Sequence, residues 1–286
     1  MFPTDDTLLA ALAALAVRAG REILAVAANG FEVVAKADAS PVTVADQRAE
    51  AVILAGLATI LPGVPVVAEE QVSAGLAPSE IGRRFVLVDP LDGTREFVSG
   101  NGEYTVNIGL VEDGRPILGV VHAPALGEIH VGRVGAGAAK GRIEADGSIV
   151  WAPIAVRGAD LARLTVLASR SHGGADTEAY LAQLAGAERL PAGSSLKFCR
   201  VAEGEADLYP RLGPTMEWDT AAGAAVLDAA GGRVLDLAGT PLVYGRHGAR
   251  RPQGWFVAIG DATVLEPALV AARACGFAAA TAEIGE

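Results

Sequence analysis

Cysteine and histidine are scarce in this chain, and their scarcity limits the kinds of site it can build. Among 286 residues there are two cysteines, Cys199 and Cys275, which form no Cys-x-x-Cys pair, and four histidines that form no cluster. A zinc site made of these residues is therefore not expected. Unpaired thiols are typical of reducing compartments, so we expect a cytoplasmic protein without disulfides.

Positive charge is also scarce. Lys and Arg together number 23 against 34 Asp and Glu, which gives a net charge of −11. This balance argues against nonspecific binding to nucleic acid or to an anionic membrane surface. It does not exclude a small phosphorylated substrate, because bound cations can reverse the sign of the field locally.

The chain lacks any apolar run long enough to span a membrane, which would need ~18–20 uncharged residues. The run from Leu8 to Val17 has the length of a signal peptide, but the acidic residues Asp5 and Asp6 precede it. A secretory signal carries positive charge at that position. We therefore expect no integral membrane segment, while peripheral association with the inner face of the cell membrane stays open.

What the chain does have is a large apolar fraction, 51%, arranged differently in its two halves. The first half begins with helical patterns and continues from Tyr104 to Gly132 as short apolar runs separated by hairpin-type turns. The second half alternates strand and helix patterns, which indicates an α/β layer. We predict an α+β half over residues 1–153 and an α/β half over residues 154–286, packed as one body.

Carboxylates lie at the ends of three predicted elements. Glu69 follows one strand, Asp89 and Asp92 follow the apolar run 85–88, and Asp219 precedes an Ala-rich helix. Converging carboxylate oxygens suit Mg²⁺, and Gly93 lets the backbone approach a phosphate closely. Each residue also has an ordinary alternative, since Asp219 could be a helix N-cap and Glu69 a solvated strand end.

The motifs together resemble those of the inositol monophosphatase superfamily of Mg²⁺-dependent, Li⁺-sensitive phosphatases. The longer match is to its bacterial 3′(2′),5′-bisphosphate nucleotidase branch. The segments that carry the resemblance are Ala-Glu-Glu at 68–70, Asp-Pro-Leu-Asp-Gly-Thr-Arg-Glu-Phe at 89–97, Asn-Gly-Glu-Tyr-Thr-Val-Asn-Ile at 101–108, Gly-Ser-Ser-Leu-Lys-Phe-Cys at 193–199, Tyr-Pro-Arg-Leu-Gly-Pro-Thr at 209–215 and Trp-Asp-Thr-Ala at 218–221. The resemblance implies a layered α/β/α/β/α sandwich of the sugar-phosphatase type.

The resemblance also implies two or more Mg²⁺ sites and a set of catalytic residues. The first metal would be held by Glu69, Asp89 and the main-chain carbonyl of Leu91, and the second by Asp89, Asp92 and Asp219. A water would be activated by Thr94 together with Asp46, helped by Glu69, for in-line attack on phosphorus. The ordinary alternatives are Thr94 as a helix cap and Asp46 as a partner of the helix dipole.

The substrate contacts implied by the resemblance come from both halves. The scissile phosphate would lie against residues of the metal site, and the nucleoside or its second phosphate against residues of the second half. The full set is Glu69, Leu91, Asp92, Gly93, Thr94, Ser169, His172, Gly193, Lys197 and Asp219. Arg211 is a further candidate. The basic segment from Arg246 to Arg251 differs from the sequence usual at this place in the nucleotidase branch, and we expect it to be a solvated loop.

The implied activity is removal of the 3′-phosphate from adenosine 3′,5′-bisphosphate, with the sulfated form as a second substrate and a role in sulfur metabolism. Two alternatives stay open: an inositol monophosphatase or fructose-1,6-bisphosphatase on the same scaffold, and a metal-dependent phospho-ligand sensor without turnover. The expected partner is a phosphorylated nucleotide. Both a monomer and a homodimer remain open.

Overall fold

The fold is described by a computed structural model that covers residues 6–30, 33–35, 41–169, 174–245 and 252–277. The helices are α1 (Thr7–Asn29), α2 (Val44–Ile60), α3 (Glu69–Ser73), α4 (Thr94–Ser99), α5 (Ala175–Gln183), α6 (Leu196–Ala202), α7 (Glu217–Ala229) and α8 (Leu265–Ala274). The strands are β1 (Val33–Ala35), β2 (Pro41–Thr43), β3 (Val66–Ala68), β4 (Arg84–Asp92), β5 (Thr105–Glu112), β6 (Arg115–Ala123), β7 (Glu128–Arg133), β8 (Gly137–Ile143), β9 (Ile149–Ile154), β10 (Thr165–Ser169), β11 (Glu188–Ala192), β12 (Leu208–Arg211), β13 (Thr215–Met216), β14 (Arg233–Asp236), β15 (Pro252–Gln253) and β16 (Phe256–Ile259).

Two sheets dominate the molecule. The larger one has seven strands in the order β3-β4-β5-β6-β7-β8-β9. Only its β3–β4 pair is parallel among the described strands, so most of this sheet is the antiparallel meander that the hairpin-type turns predict. The smaller sheet has five strands in the order β11-β10-β12-β16-β14, and its β10 pairs in parallel with both neighbours.

The helices form three layers around these sheets. Helices α1 and α2 pack on one face of the seven-stranded sheet, and α7 packs on its other face together with α6. The five-stranded sheet lies against α6 and α7, and its far face is covered by α5 and α8. The order is therefore α/β/α/β/α, which confirms the predicted architecture. The predicted division after residue 153 falls near the end of β9.

Helix α7 approaches the seven-stranded sheet unusually closely because a row of glycines faces it. Gly109, Gly119 and Gly132 are neighbours across β5, β6 and β7. A Cβ atom added to Gly119 would lie 2.1 Å from the carbonyl oxygen of Ala222 on α7. Glycine is therefore required at this position for packing, and the close approach fixes the height of α7 above the sheet.

Strand β4 carries an irregularity at the end that leads to the predicted site. Asp89 is paired with Asn107 of β5, and Asp92 with Thr105, so three steps along β4 correspond to two along β5. One strand thus has an extra residue, as in a β-bulge. Side chains alternate between faces in a regular strand, and the extra residue changes which face Asp92 occupies relative to Asp89.

Candidate active site

The predicted metal-ligand residues converge from three elements of the described structure. Glu69 begins α3 directly after β3, Asp89 and Asp92 lie at the end of β4, and Asp219 lies in the first turn of α7. A cavity of about 190 Å³, which we call the carboxylate cavity, opens beside three of these residues, Glu69, Asp92 and Asp219. It is lined by Glu69, Asp92, Gly93, Thr94, Arg95, Glu96, Ser194, Ser195, Lys197, Phe198, Tyr209, Arg211, Thr215, Asp219 and Thr220.

Asp89 is the most deeply buried carboxylate of the group, at 2% exposure. Its Oδ1 accepts a hydrogen bond from the main-chain N–H of Leu91 at 2.9 Å. Burial, and then the negative charges of Glu69, Asp92 and Asp219, raise the pKa of Asp89 well above its ordinary value. A bound positive charge would strongly stabilise the ionised form of a buried carboxylate that is surrounded by three others.

The ionised form of Asp219 is also opposed by burial and by neighbouring negative charges, although two hydrogen bonds to its carboxylate offset part of this effect. Its Oδ2 accepts from the N–H of Met216 at 2.9 Å and from the hydroxyl of Thr215 at 2.8 Å. Burial, followed by the charges of Asp92 and Glu69, raises the pKa of Asp219 to about 7. Asp219 lies inside the first turn of α7 rather than before it, so both the helix-capping role and the site role belong to one side chain.

These residues fit a divalent cation by their chemistry. Within the described ranges, no three Asp, Glu, His or Cys side chains are close enough to hold an ion as they stand. The oxygen donors are nevertheless those that Mg²⁺ prefers, and burial followed by repulsion between neighbouring carboxylates raises the pKa of Asp89 and of Asp219. A cation in the carboxylate cavity would relieve this repulsion.

The predicted pair of Thr94 and Asp46 lies beside the same turn. The hydroxyl of Thr94 is 3.4 Å from Oδ1 of Asp46 and 3.3 Å from the carbonyl oxygen of Leu91, both long hydrogen bonds. Asp46 is buried, and its Oδ2 accepts from the N–H and the hydroxyl of Thr43, each at 2.8 Å. Asp46 thus has the capping role expected of a first-turn acid while its other oxygen faces Thr94.

Gly93 makes the turn between β4 and α4 possible. Its φ is +88°, in the left-handed region where a side chain is strained, and it is the N-cap residue of α4. The turn places Thr94 at the start of α4 and at the wall of the carboxylate cavity. The sequence analysis expected Gly93 to let the backbone approach a phosphate closely, and its left-handed conformation is one that glycine adopts without strain.

The predicted substrate residues of the second half are only partly within the described structure. Ser169 ends β10, the strand next to β11 whose last residue precedes Gly193. His172 and the basic segment Arg246 to Arg251 lie outside the described residues. Lys197 lines the carboxylate cavity, whereas Gly193 is not among the residues that line it.

Lys197 is buried, and main-chain carbonyls already accept hydrogen bonds from its ammonium group. It is 3% exposed, and its Nζ donates to the carbonyl of Ser194 at 2.6 Å and to that of Ala192 at 3.4 Å. The ammonium also lies 5.2 Å from the ring centre of Tyr209. Burial lowers the pKa of Lys197 to about 8, with the charge of Asp92 opposing the shift.

Several cavity residues were missed by the sequence analysis. Ser194 and Ser195 both donate to Oδ2 of Asp92, at 2.7 and 2.8 Å. The motif Gly-Ser-Ser was noted, but a hydroxyl's partner depends on which strand faces it, and no local pattern carries that information. Arg95 lines the cavity unpredicted, and Arg211, a candidate from the sequence, lies there with its guanidinium donating to the carbonyl of Pro214 at 2.6 Å.

Comparison with known proteins gives consistent matches. The model of the Inositol monophosphatase family matches residues 4–264. The 3′(2′),5′-bisphosphate nucleotidase CysQ of Escherichia coli (strain K12) is 48% identical over 232 residues, which are 80% of this chain and 91% of that protein.

Solved structures agree with the sequence matches. CysQ from Bacteroides thetaiotaomicron, described as a bacterial member of the inositol monophosphatase family, aligns with a TM-score of 0.71 at 36% identity, covering 88% of this chain and 96% of that one. An inositol monophosphatase from Anabaena (Nostoc) sp. PCC 7120 aligns with a TM-score of 0.73 at 25% identity, covering 94% and 96%.

Proposed function

The chain belongs to the inositol monophosphatase family, and on that premise we propose that it is a metal-dependent 3′(2′),5′-bisphosphate nucleotidase. It would hydrolyse the 3′-phosphate of adenosine 3′,5′-bisphosphate to give AMP and phosphate, and would accept the sulfated form as well. The observation that carries the proposal is that Glu69, Asp92 and Asp219 line one cavity, with Asp89 buried among them and the Thr94–Asp46 pair beside it.

We assign Mg²⁺ as the cofactor because the donor set consists of carboxylates and one main-chain carbonyl. Glu69, Asp89 and the carbonyl of Leu91 would hold one ion, and Asp89, Asp92 and Asp219 a second. When bound, the ions supply charge neutralisation for the phosphate and lower the pKa of a coordinated water. Li⁺ is expected to inhibit, as the family resemblance implies.

Proton transfer would be handled by Thr94 and Asp46. The hydroxyl of Thr94 donates to Asp46, which leaves its oxygen free to accept a proton from the attacking water. The water oxygen would bond to phosphorus as the P–O3′ bond breaks with its electron pair going to O3′, while one water proton moves to Thr94 and the Thr94 proton moves to Asp46. The departing O3′ would take up a proton from solvent to become the 3′-hydroxyl of AMP. The two hydrogen bonds from Thr43 keep the Asp46 carboxylate oriented for this step.

The nucleoside and its 5′-phosphate would be recognised at the end of the cavity formed by the second half. Ser169, His172, Gly193 and Lys197 are the proposed contacts there. The position of Lys197 in the cavity wall supports its assignment, since a buried cation next to the site favours a second phosphate.

Phosphate release from three substrates tests the proposal. Adenosine 3′,5′-bisphosphate, inositol 1-phosphate and fructose 1,6-bisphosphate are each incubated with the protein, with Mg²⁺ or with a chelator. We expect Mg²⁺-dependent release from the nucleotide well above that from the two sugar phosphates. Release from the sugar phosphates alone would favour the inositol or fructose phosphatase, and no release from any substrate would favour a sensor.

A further inference from the structure

Thr105 and Asn107, two polar residues of β5, are completely buried next to the carboxylate cavity, and neither has been assigned a role above. Both are 0% exposed. They lie two residues apart on one strand, so their side chains point to the same face of the sheet. Buried polar side chains are costly unless their hydrogen bonds are satisfied, and here those hydrogen bonds lead to Asp92.

The contacts of Asn107 define which way its amide points. The hydroxyl of Thr105 lies 3.0 Å from Oδ1 of Asn107, and Nδ2 of Asn107 donates to the hydroxyl of Ser195 at 2.9 Å. The hydroxyl of Thr105 also lies 2.6 Å from that of Ser194. The two β5 residues therefore contact both serines at the start of α6.

The two serines in turn orient Asp92. Their hydroxyls donate to the same oxygen, Oδ2, at 2.7 Å from Ser194 and 2.8 Å from Ser195. Two hydrogen bonds on one oxygen fix the rotation of the carboxylate, and with it the direction of Oδ1. Ser195 also lies 2.7 Å from the carbonyl oxygen of Asp219, but its single proton goes preferentially to the ionised carboxylate, the stronger acceptor.

The backbone that carries the serines is itself constrained. Ser194 has a φ of +52°, a left-handed conformation that is uncommon for a residue with a side chain. Lys197 donates to its carbonyl at 2.6 Å, and Glu103, just before β5, accepts from the N–H of Gly193 at 2.8 Å. The segment is thus held from β5 and from its own helix in the one conformation that puts both hydroxyls on Asp92.

We propose that Thr105 and Asn107 are positioning residues that act through Ser194 and Ser195 to hold the Asp92 carboxylate in the orientation that binds a cation. The proposal rests on the proposed function in one respect, the assignment of Asp92 as a metal ligand. Removing a group that hydrogen-bonds a metal ligand, as Ser194 and Ser195 do, typically weakens metal binding or activity 10–100-fold, and residues one hydrogen bond further away are expected at the lower end of that range.

The first experiment compares Thr105→Val with Thr105→Ser in the full chain. Valine has the shape of threonine without the hydroxyl, whereas serine keeps the hydroxyl. Titration calorimetry of Mg²⁺ into metal-stripped protein should show a Kd raised about tenfold in Thr105→Val and near the wild-type value in Thr105→Ser. A Kd in Thr105→Val within about twofold of wild type would overturn the proposal.

A matched control separates positioning from packing. Thr177 is also a buried threonine, on α5 at the far side of the molecule, and Thr177→Val removes a hydroxyl there. We expect the Mg²⁺ Kd of this variant to equal that of wild type. Thermal unfolding of all variants in the metal-free state measures how much each substitution destabilises the fold. A positioning role predicts that the change in Mg²⁺ Kd does not follow this loss of stability.

A double-mutant cycle tests the route from Asn107 to Asp92. If Asn107 acts through Ser195, then Asn107→Ala and Ser195→Ala each raise the Mg²⁺ Kd, and the double variant binds no more weakly than Ser195→Ala alone. Effects that multiply in the double variant would mean that Asn107 acts independently, and would refute the proposed route.

The two proposals fail in different ways. A wild-type protein that neither binds Mg²⁺ nor releases phosphate would overturn the proposed function and this inference with it. A wild-type protein that does both, with Thr105 and Asn107 variants of unchanged Kd, would overturn this inference alone. In steady-state assays the inference further predicts a raised Mg²⁺ activation constant with little change in KM for adenosine 3′,5′-bisphosphate.

Discussion

The surroundings of Asp89 strongly oppose its ionised form, because it is buried among three other carboxylates. Asp89→Asn keeps the shape and removes the charge. We expect turnover of adenosine 3′,5′-bisphosphate to be lost, since the residue is proposed to hold both ions. We also expect the metal-free variant to unfold at the same or a higher temperature than wild type, because repulsion is relieved. Near-normal activity would refute the metal assignment.

The hydroxyl of Thr94 can be tested with two substitutions of similar size. Thr94→Val removes the proton carrier and should lower kcat by about 10²–10⁴-fold, the usual range for loss of a general acid–base group. Thr94→Ser keeps the hydroxyl facing Asp46 and should retain most of the activity. Steady-state phosphate release measures both. Equal losses in the two variants would point to a packing role of the methyl group instead.

At the scale of residues, the sequence predicted the charged groups better than the neutral ones. Glu69, Asp89, Asp92 and Asp219 could be selected because acids at element ends and their order along the chain are visible locally, whereas Asp46 was assigned through the family resemblance. The hydroxyls on Asp92 could not, since their partners are set by how the segment before α6 lies against β5. Roles in catalysis and substrate contact stay predictions, as does the contribution of His172.

At the scale of elements, the glycine row under α7 makes a packing prediction. Gly119→Ala places a methyl group against the backbone of α7, 2.1 Å from a carbonyl oxygen, so the helix must move. We expect a loss of about 1–3 kcal/mol of stability in urea unfolding, the usual cost of overpacking. Activity should fall as well, because α7 carries Asp219.

Gly254→Ala is the matched control, since nothing lies within 4 Å of its added Cβ. Its stability and activity should remain close to those of wild type. A destabilisation of Gly119→Ala no larger than that of the control would show that α7 and the sheet are less tightly packed than described.

An ion cluster joins α6 to the seven-stranded sheet from the end opposite the cavity. Glu203, which follows α6, contacts Nε2 of His130 at 2.6 Å and Nζ of Lys140 at 2.8 Å. Burial alone would raise the pKa of Glu203, but the hydrogen bond with His130 and the nearby positive charges outweigh it and lower the pKa from 4.5 to about 2. The cluster therefore stabilises the fold while Glu203 is ionised.

Glu203→Gln tests this cluster through its pH dependence. A lowered pKa in the folded state contributes stability above the unfolded pKa and loses it as pH falls through the folded pKa. The shift from 4.5 to about 2 corresponds to about 3 kcal/mol. In urea unfolding, the wild type should exceed the variant by up to that amount above about pH 5, and the difference should shrink towards about pH 2.

Asp113→Asn, which breaks the exposed ion pair with Arg83, is the control and should change stability little. A difference between wild type and Glu203→Gln that stays constant down to low pH would mean that the charge of Glu203 is not what stabilises the fold.

Elements with strong periodicity or clear turn signals were predictable, and short ones were not. The meander from β5 to β7 and the helices α1 and α2 follow from their apolar patterns. Strand β8 consists largely of Gly and Ala and β11 of Glu-Arg-Leu-Pro-Ala, so both give little apolar signal. Such strands form because a neighbouring strand supplies hydrogen bonds.

At the scale of the whole molecule, the carboxylates couple cation binding to stability. In the metal-free protein the raised pKa of Asp219, about 7, means that the folded state holds more protons than the unfolded state, so stability falls as pH rises through that range. The Mg²⁺ proposed for this site would bind the ionised form. Its stabilising effect should therefore be larger at about pH 8 than at about pH 5.5.

Differential scanning calorimetry with Mg²⁺ or with a chelator measures this effect, with NaCl at matched ionic strength as the control for screening. A rise in Tm that is equal at the two pH values, or that NaCl reproduces, would contradict a site built from these acids.

The order of the layers and the family were predictable because the motifs identify the family, and the family implies the layered fold. No helix in the described ranges is long and apolar enough to cross a membrane. The monomer or homodimer, the cytoplasmic location and the division after residue 153 stay predictions, since each depends on surfaces or partners that motifs do not encode.

The extra residue of β4 has a consequence for how this site tolerates change. Asp89 and Asp92 are separated by an odd number of steps, which in a regular strand assigns them to opposite faces, while Thr105 and Asn107 are separated by an even number. The extra residue of β4 brings both carboxylates to the same face of the sheet. A regular ladder with the same three steps would turn one carboxylate away from the other. The irregularity of this turn is therefore as strict a requirement as the identity of its acids.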